Sequence, residues 1–153
     1  MPLAIRRILV LCEGNHCRSP LAEALLKQSL DARIEVRSAG FRALVGKPAH
    51  EETRRQGQRL GVDLSLHRGR QVTLDLAKKA DLILVMDRTQ KTACEAMDPA
   101  VRGRVYLLGH WLAQGPPEIA DPIRRSAEAH RMTSDHIRGA IQSWLPRLAP
   151  RNP

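Results

Sequence analysis

A junction between a strand and a helix near the N-terminus constrains the fold of this chain more than any other feature. Residues 5–11 (IRRILVL) end in a continuous apolar run, which is typical of a strand covered on both faces. The segment LCEGNHCRSP, residues 11–20, follows this run. Beyond it, apolar side chains recur at helical spacing and share one face of a predicted helix: Leu21, Ala22, Leu25, Leu26 and Leu30. A strand that enters a helix through a short loop indicates an α/β fold.

Three further segments have the pattern of strands. Residues 81–86 and 104–109 contain apolar runs that predict buried parallel strands. Residues 33–36 (RIEV) alternate, which predicts a less buried strand at the edge of the sheet. Helical patterns lie at residues 50–60, at 93–97 before Asp98-Pro99, and at 132–148, where Pro146 marks a fraying end. The chain is therefore predicted to be α/β, a single domain over residues 1–153, with a doubly wound four-stranded parallel sheet and helices on both faces.

The composition excludes several classes of protein. A length of 153 residues with 42% hydrophobic content suits one domain with one core. The net charge of +9 and the pI of about 10.5 predict a surface that attracts anionic partners or substrates. Nucleic acid is not an expected partner, because the aromatic residues are scattered and offer no base-stacking platform: Phe41, Tyr106, Trp111 and Trp144.

A cytoplasmic location is expected. The segment MPLAIRRILVLCEG lacks the long apolar region and cleavage site of a secretory signal. No window approaches the length of a membrane span, so membrane insertion is not expected. The three cysteines, an odd number, argue against a secreted disulfide framework. We expect a monomer or a weak oligomer.

Three alternative chemistries fit the segment CEGNHCRS poorly. A thioredoxin-like redox pair normally has two residues between its cysteines, whereas four separate Cys12 from Cys17. A structural zinc site requires four Cys or His ligands, and His16 and His67 lack a second pair of cysteines. A Walker A loop requires a lysine, which this segment does not contain. No metal or other cofactor is therefore expected.

An anion-binding loop would use every unusual residue of the segment. In the pattern C-x5-R, a loop that enters a helix N-terminus can turn its backbone N–H groups inward, and the helix dipole adds positive potential. Gly14 permits a close backbone approach, and Asn15 tolerates a left-handed conformation. Arg18 offers a planar fork to two phosphate oxygens. Cys12, as a thiolate in this positive field with Ser19 as a hydrogen-bond donor, would be a nucleophile beneath a phosphoryl group.

The C-x5-R pattern taken alone leaves a purely structural interpretation equally open. Cys12 could be a small buried residue at the end of a strand, and Ser19-Pro20 could simply begin a helix. The surroundings favour function, because an apolar strand, a Gly-Asn turn and an amphipathic helix are the context that a phosphate-binding loop requires. We therefore expect a phosphate-binding loop after the first strand.

The segment resembles the signature loop of the low-molecular-weight protein tyrosine phosphatases, and the resemblance extends over nearly the whole chain. The other matching segments occur in family order: RSAG (37–40), VGKPAH (45–50), HRGRQ (67–71), DLILVMDR (81–88), RGRVYLLGHW (102–111) and EIADP (118–122). The last two are most similar to bacterial members associated with tyrosine autokinases of capsule and exopolysaccharide synthesis. The resemblance implies a small parallel sheet flanked by helices and a metal-independent phosphatase.

The resemblance also implies the roles of individual residues. Cys12 would be the nucleophile, Arg18 the phosphate clamp and Asp121 the general acid. An acid at this position suits a tyrosine substrate, because a phenolate leaves more easily when it is protonated. Without the rest of the pattern, Asp121-Pro122 would be taken as a helix-entry turn. Ser19 would donate a hydrogen bond to the thiolate, and Cys17 would be the partner of Cys12 under oxidation. All the remaining positions would bind phosphate or support the loop: Glu13, Gly14, Asn15, His16, Cys17, Ser19, Ser38 and His67.

The substrate wall departs from the family pattern. Members usually carry an aromatic residue directly after the Asp-Pro pair, whereas Ile123 stands there in this chain. Phe41 and Leu44 are the expected replacements as walls against the substrate ring. Glu13 and His16 flank the signature residues, and we expect both side chains to point to solvent rather than into the mouth of the site.

Two further residues are open to structural interpretations. Asp87 matches a recurrent family aspartate but fits equally well as an N-cap of a helix that starts near Thr89. Cys94 is interpreted as a core residue.

The expected function is hydrolysis of protein phosphotyrosine through a phosphocysteine intermediate, with a bacterial tyrosine autokinase that carries a tyrosine-rich tail as partner. A thioredoxin-coupled arsenate reductase shares the loop but needs two further cysteines, and only Cys94 lies downstream. A non-catalytic phosphoanion-binding regulator is a second alternative, and the presence of both Cys12 and Asp121 argues against it.

Overall fold

The computed structural model describes residues 4–148, which contain a four-stranded parallel sheet. Its strands lie in the order β2-β1-β3-β4 and are β1 (Arg7–Cys12), β2 (Glu35–Gly40), β3 (Leu82–Val85) and β4 (Val105–Leu107). The predicted α/β fold and the edge position of the second strand are confirmed. That strand begins at Glu35 rather than at residue 33, because Asp31 holds Arg33 in a turn through a bond of 2.9 Å from Arg33 N to Asp31 Oδ1.

Helices cover both faces of the sheet. Those within residues 4–148 are α1 (Arg18–Ser29), α2 (Glu51–Arg59), α3 (Leu74–Lys79), α4 (Arg88–Glu95) and α5 (Ala127–Trp144), with short 3₁₀ turns at Pro99–Val101 and Leu145–Arg147. Apolar residues of α1 and α5 share one core with Ile8 and Val10 of β1. Residues of α3 and α4 share the opposite core with Leu9 and Leu11. The alternation along β1 thus fills both layers, and each fully buried aliphatic side chain contributes roughly 1.5–3 kcal/mol.

The helix boundaries differ from the sequence predictions where side chains cap them. The final helix begins at Ala127 rather than at residue 132, because Ser126 Oγ accepts a hydrogen bond of 3.1 Å from Ala129 N. It ends at Trp144, and Pro146 lies in the following 3₁₀ turn. Helix α3 was not predicted, since its six residues are too few to display a period; Thr73 caps its N-terminus.

Because all four strands are parallel, their carboxyl ends lie at one edge of the sheet. Cys12 ends β1, Gly40 ends β2 beside it, and Met86 follows β3. The loops that leave these positions build the candidate site.

Candidate active site

The loop after β1 delivers the chain into the N-terminus of α1. Cys17 occupies the N-cap position with backbone angles φ −121° and ψ −74°, and among the described residues no side chain caps this end. The first turn also carries no acidic residue. The backbone N–H groups of an uncapped helix start, together with the helix dipole, make an anion-binding site.

The thiol of Cys12 lies at the base of this loop, on a buried strand end. Its Sγ is 2.9 Å from Ser19 Oγ, and Asn15 Nδ2 donates to the same Ser19 oxygen over 2.8 Å. Because the amide already supplies a hydrogen to Ser19 Oγ, the hydroxyl proton of Ser19 is free to point at Cys12 Sγ. Ser19 is therefore placed to donate a hydrogen bond to Cys12 Sγ.

Asn15 connects the loop to its surroundings through its side chain. It has the left-handed φ of 50° expected from the sequence. Its Nδ2 also donates to Ser38 Oγ over 3.0 Å, and its Oδ1 accepts from Arg70 N over 2.8 Å. Ser38 Oγ in turn donates to Glu23 Oε1 over 2.6 Å. The structure thus brings Asn15, Ser19 and Ser38 into one hydrogen-bonded chain, which ends on Glu23.

Two further contacts brace the backbone of the loop. His67 Nε2 lies 2.8 Å from the carbonyl oxygen of Asn15. Gly40 packs against the loop so closely that a Cβ there would lie 2.7 Å from Asn15 N and 2.7 Å from Glu13 O. Glu23, Arg70 and Gly40 were not predicted from the sequence to be part of the site. A short motif cannot reveal them, since they act through contacts between distant segments.

Arg18 links the loop to the segment that carries Asp121. It is buried, with an exposed fraction of 5%. Its Nη1 donates to the Ile119 carbonyl over 2.8 Å, and its Nη2 lies 3.7 Å from Asp121 Oδ2. Asp121 Oδ1 accepts a hydrogen bond of 3.0 Å from Ile123 N. The guanidinium and the carboxylate therefore lie side by side above the helix start.

The segment 41–44 runs alongside the loop that follows β1. Backbone bonds from Phe41 N to Cys12 O (3.1 Å) and from Leu44 N to Gly14 O (3.0 Å) hold it along the loop. Phe41 is half-buried and packs against the core beneath α3 and α4, whereas the Leu44 side chain is 47% exposed. Ile123 is half-buried on the segment that carries Asp121. Leu44 is thus freer than Phe41 to contact a substrate.

Glu13 and His16 differ in orientation. Glu13 is exposed and pairs with Arg42 at 3.4 Å, but it also lines the same cleft as Arg18 and Asp121. His16 was expected to point to solvent, but it is half-buried: its Nδ1 lies 3.0 Å from the Pro48 carbonyl, and its ring packs on His50. The expectation for His16 was wrong because the residues that cover its ring come from a distant part of the sequence.

Asp87 has a local structural function. Its Oδ1 accepts a hydrogen bond of 2.8 Å from Gln90 N and caps α4, which begins at Arg88. Asp87 nevertheless lines the same cleft as Arg18 and Asp121.

Comparison with known proteins identifies the family. A model of the family described as low molecular weight phosphotyrosine protein phosphatase matches residues 7–152. The chain belongs to this family. Its members are cysteine-dependent enzymes, and the resemblance noted in the sequence is confirmed.

Similar phosphatases cover nearly the whole chain. The chain is 42% identical over 144 residues to the probable low molecular weight protein-tyrosine-phosphatase EpsP of Ralstonia nicotianae, which covers 94% of this chain and 97% of EpsP. The crystal structure of the Erwinia amylovora tyrosine phosphatase AmsI matches with a TM-score of 0.87 at 38% identity, over 94% of this chain and 93% of that one. Vibrio vulnificus Wzb in complex with benzylphosphonate matches with a TM-score of 0.88 at 37% identity, over 95% and 100%.

The other cysteines of this low-molecular-weight phosphatase differ from Cys12 in their surroundings. Burial raises the pKa of the Cys17 thiol to about 12 and that of the Cys94 thiol to about 11. Both are free thiols, and Cys94 is a fully buried core residue as predicted. None of the helices within residues 4–148 combines the length and apolarity needed to cross a bilayer.

Proposed function

We propose that this phosphatase hydrolyses phosphotyrosine in a protein substrate through a phosphocysteine intermediate. One observation carries the proposal: Cys12 Sγ lies 2.9 Å from Ser19 Oγ below an uncapped helix start, and the buried Arg18 connects that helix start to Asp121. Nucleophile, anion cradle and acid are thereby within reach of one phosphoryl group.

The reaction follows from this arrangement. The N–H groups at the start of α1 and the Arg18 fork bind the equatorial phosphate oxygens. The Cys12 thiolate attacks phosphorus as the bond to the tyrosine oxygen breaks, and Asp121 transfers its proton to that oxygen. The Asp121 carboxylate then takes a proton from a water molecule that attacks the phosphocysteine, which releases inorganic phosphate and restores the thiolate.

The supporting residues fix this geometry. Asn15, Ser38 and His67 hold the loop, and Ser19 stabilises the thiolate. Leu44, with Phe41 and Ile123, forms the wall for the phenyl ring. Wzb of Vibrio vulnificus, which binds benzylphosphonate, supports a site for a phosphorylated aromatic group.

We further propose that the substrate is a phosphorylated tyrosine autokinase of exopolysaccharide or capsule synthesis. The phosphatase would bind this kinase in the cytoplasm. The likeness to EpsP and AmsI supports this assignment. The net charge of +9 suits a multiply phosphorylated, anionic tail. The arsenate reductase alternative is disfavoured, because Cys94 is buried in the core and a relay would need an accessible thiol.

The test is steady-state hydrolysis of para-nitrophenyl phosphate and of phosphotyrosine, phosphoserine and phosphothreonine peptides in the presence of EDTA. Wild type is expected to turn over the aryl substrates only. Cys12→Ser should lose at least about 10⁴-fold in kcat, while Cys94→Ser, the matched control in the core, should keep activity in the fraction that folds. Equal turnover by Cys12→Ser would remove Cys12 as nucleophile, and phosphate binding without turnover by wild type would favour the regulator.

A further inference from the structure

Three histidine rings are stacked between the phosphate-binding loop and the segment that presents Asp121. The rings of His16 and His50 meet edge to face with centroids 5.4 Å apart, and the ring of His50 lies on that of His130 at 4.9 Å and 21°. His16 belongs to the loop, His50 is the N-cap of α2, and His130 lies near the start of α5. We call these three residues the histidine stack.

Hydrogen bonds attach the histidine stack to the loop. His50 N donates to the His16 carbonyl over 2.9 Å. His16 Nδ1 lies 3.0 Å from the Pro48 carbonyl; because a carbonyl only accepts, this nitrogen carries the proton. The backbone and the ring of His16 are therefore both fixed by the segment that holds His50.

The opposite end of the stack lies on helix α5, which contacts residues 118–123, the acid segment that carries Asp121. His130 is only 2% exposed. Thr133, on the next turn of α5, lies with its Oγ1 3.4 Å from the carbonyl of Ala120, which precedes Asp121. Helix α5 therefore carries both the last ring of the stack and, one turn further on, a hydrogen bond to the acid segment.

The hydrogen bond that His50 accepts fits a neutral imidazole. His50 Nδ1 accepts a hydrogen bond of 3.1 Å from Glu52 N, so this nitrogen carries no proton in the folded arrangement. Protonation of two stacked rings would place like charges about 5 Å apart in a poorly hydrated site, which is unfavourable.

The groups around the stack have opposing effects on the pKa of His16 and of His130. Burial, then the neighbouring His50 and His67, lower the pKa of His16 against the opposing effect of the Pro48 carbonyl. Burial and His50 likewise lower the pKa of His130, while the carboxylates of Glu52 and Asp121 oppose the change. The net direction for both rings favours the neutral form.

We propose that the neutral histidine stack holds the Asp121 segment against the phosphate-binding loop, and that protonation of the stack loosens this contact. His16, His50 and His130 are then positioning residues for proton transfer by Asp121. The inference rests on the proposed function, in which Asp121 is the general acid.

Two variants each replace one ring of the stack with little other change. His130→Phe keeps a stacking ring that cannot bind a proton, and His50→Asn keeps an N-cap acceptor for Glu52 N. His110→Phe is the matched control, since His110 is exposed and contacts Tyr106 and Trp111 instead of the stack.

The measurement is kcat for a phosphotyrosine peptide between about pH 5 and pH 8, the range in which histidine titrates. Wild type and His110→Phe should lose kcat toward the acid end of this range, because the pKa values of His16 and His130 lie below the ordinary histidine value. Both stack variants should keep at least about threefold more of their pH 7 activity at the acid end, because each removes the facing His50–His130 pair in which like charges would develop. The proposal would be overturned if kcat decreased toward acid pH in both variants in the same way as in wild type.

An NMR titration separates failure of this proposal from failure of the proposed function. In wild type, the amide shifts of Ala120 and Asp121 should follow the titration of the His130 ring, and in His130→Phe they should not. This readout requires no turnover, so coupled shifts in an inactive protein would reject the proposed function alone. If the amide shifts of Ala120 and Asp121 do not follow the His130 titration in an active enzyme, the proposed role of the histidine stack is rejected. His50→Asn provides the same test if His130→Phe does not fold.

Discussion

The phosphate-binding loop and the Asp121 segment face each other across one site, yet they are held in different ways. In the loop, the Asn15 side chain alone contacts Ser19, Ser38 and Arg70. In the acid segment, the Asp121 side chain is 44% exposed; its contacts are Ile123 N and, at 3.7 Å, Arg18. Groups that stabilise charge in a transition state must be rigid, whereas an acid that releases and regains a proton needs access to water.

Arg18 belongs to both regions. It is the first residue of α1, and its donation to the Ile119 carbonyl over 2.8 Å joins the loop directly to the acid segment. We therefore expect the largest effect at Arg18, an intermediate effect at Asp121 and smaller ones at the residues that support either region.

Arg18→Lys should reduce kcat for para-nitrophenyl phosphate by roughly 10⁴-fold, the scale on which an arginine stabilises a transferred phosphoryl group. Lysine cannot bind two phosphate oxygens in a plane and also reach the Ile119 carbonyl. Wild type and the variant should melt within a few degrees of each other. A loss below about tenfold in kcat would mean that the helix start holds the phosphoryl group without the arginine.

Asp121→Asn should reduce kcat for phosphotyrosine by about 10²–10³-fold. The reduction should shrink with aryl phosphates whose phenols are more acidic, since such leaving groups depart without protonation. A series of substituted phenyl phosphates measures the dependence. Equal slowing across the series would count against Asp121 as the acid and would mean that Asp121 instead positions Arg18.

Two glycines test whether the loop is indeed the more rigid region. A Cβ at Gly40 would meet backbone atoms of Asn15 and Glu13, and a Cβ at Gly109 would meet the Pro117 carbonyl before the acid segment. We expect Gly40→Ala to lower kcat by about 10²-fold through displacement of the loop and to destabilise the fold by about 1–3 kcal/mol.

Gly109→Ala should cost less in both quantities, because the acid segment can move away. Its kinetic signature should resemble that of Asp121→Asn, with poor leaving groups slowed most. Gly139→Ala, which meets no neighbouring atom within 4 Å, is the control and should be neutral or slightly stabilising. Denaturant unfolding gives the stability differences. A reversed order of the two glycines would mean that the acid segment is the rigid one.

The sequence predicts one region of the site better than the other. The strand, the loop and the helix of the phosphate site are contiguous, so apolar periodicity and the C-x5-R pattern were enough to predict them. The interactions that hold them are not contiguous: the Ile119 carbonyl reaches Arg18 and the Arg70 amide reaches Asn15 through backbone atoms that any residue type would supply. No pattern of side chains could predict such contacts. The same is true of the burial of His16 beneath Pro48 and His50.

The smallest expected effect concerns the wall of the site. Leu44→Ala should raise KM for phosphotyrosine peptides by about fivefold, since a partly exposed leucine loses roughly 1 kcal/mol of apolar contact. Phe41→Ala should raise KM similarly but also lower the melting temperature, because Phe41 packs against the core. Ile123→Tyr would add the missing ring on the acid segment and should reduce the KM defect of Leu44→Ala. An unchanged KM in Phe41→Ala and Leu44→Ala would place the substrate ring elsewhere, and the acid segment would then be the side of the site that selects the substrate.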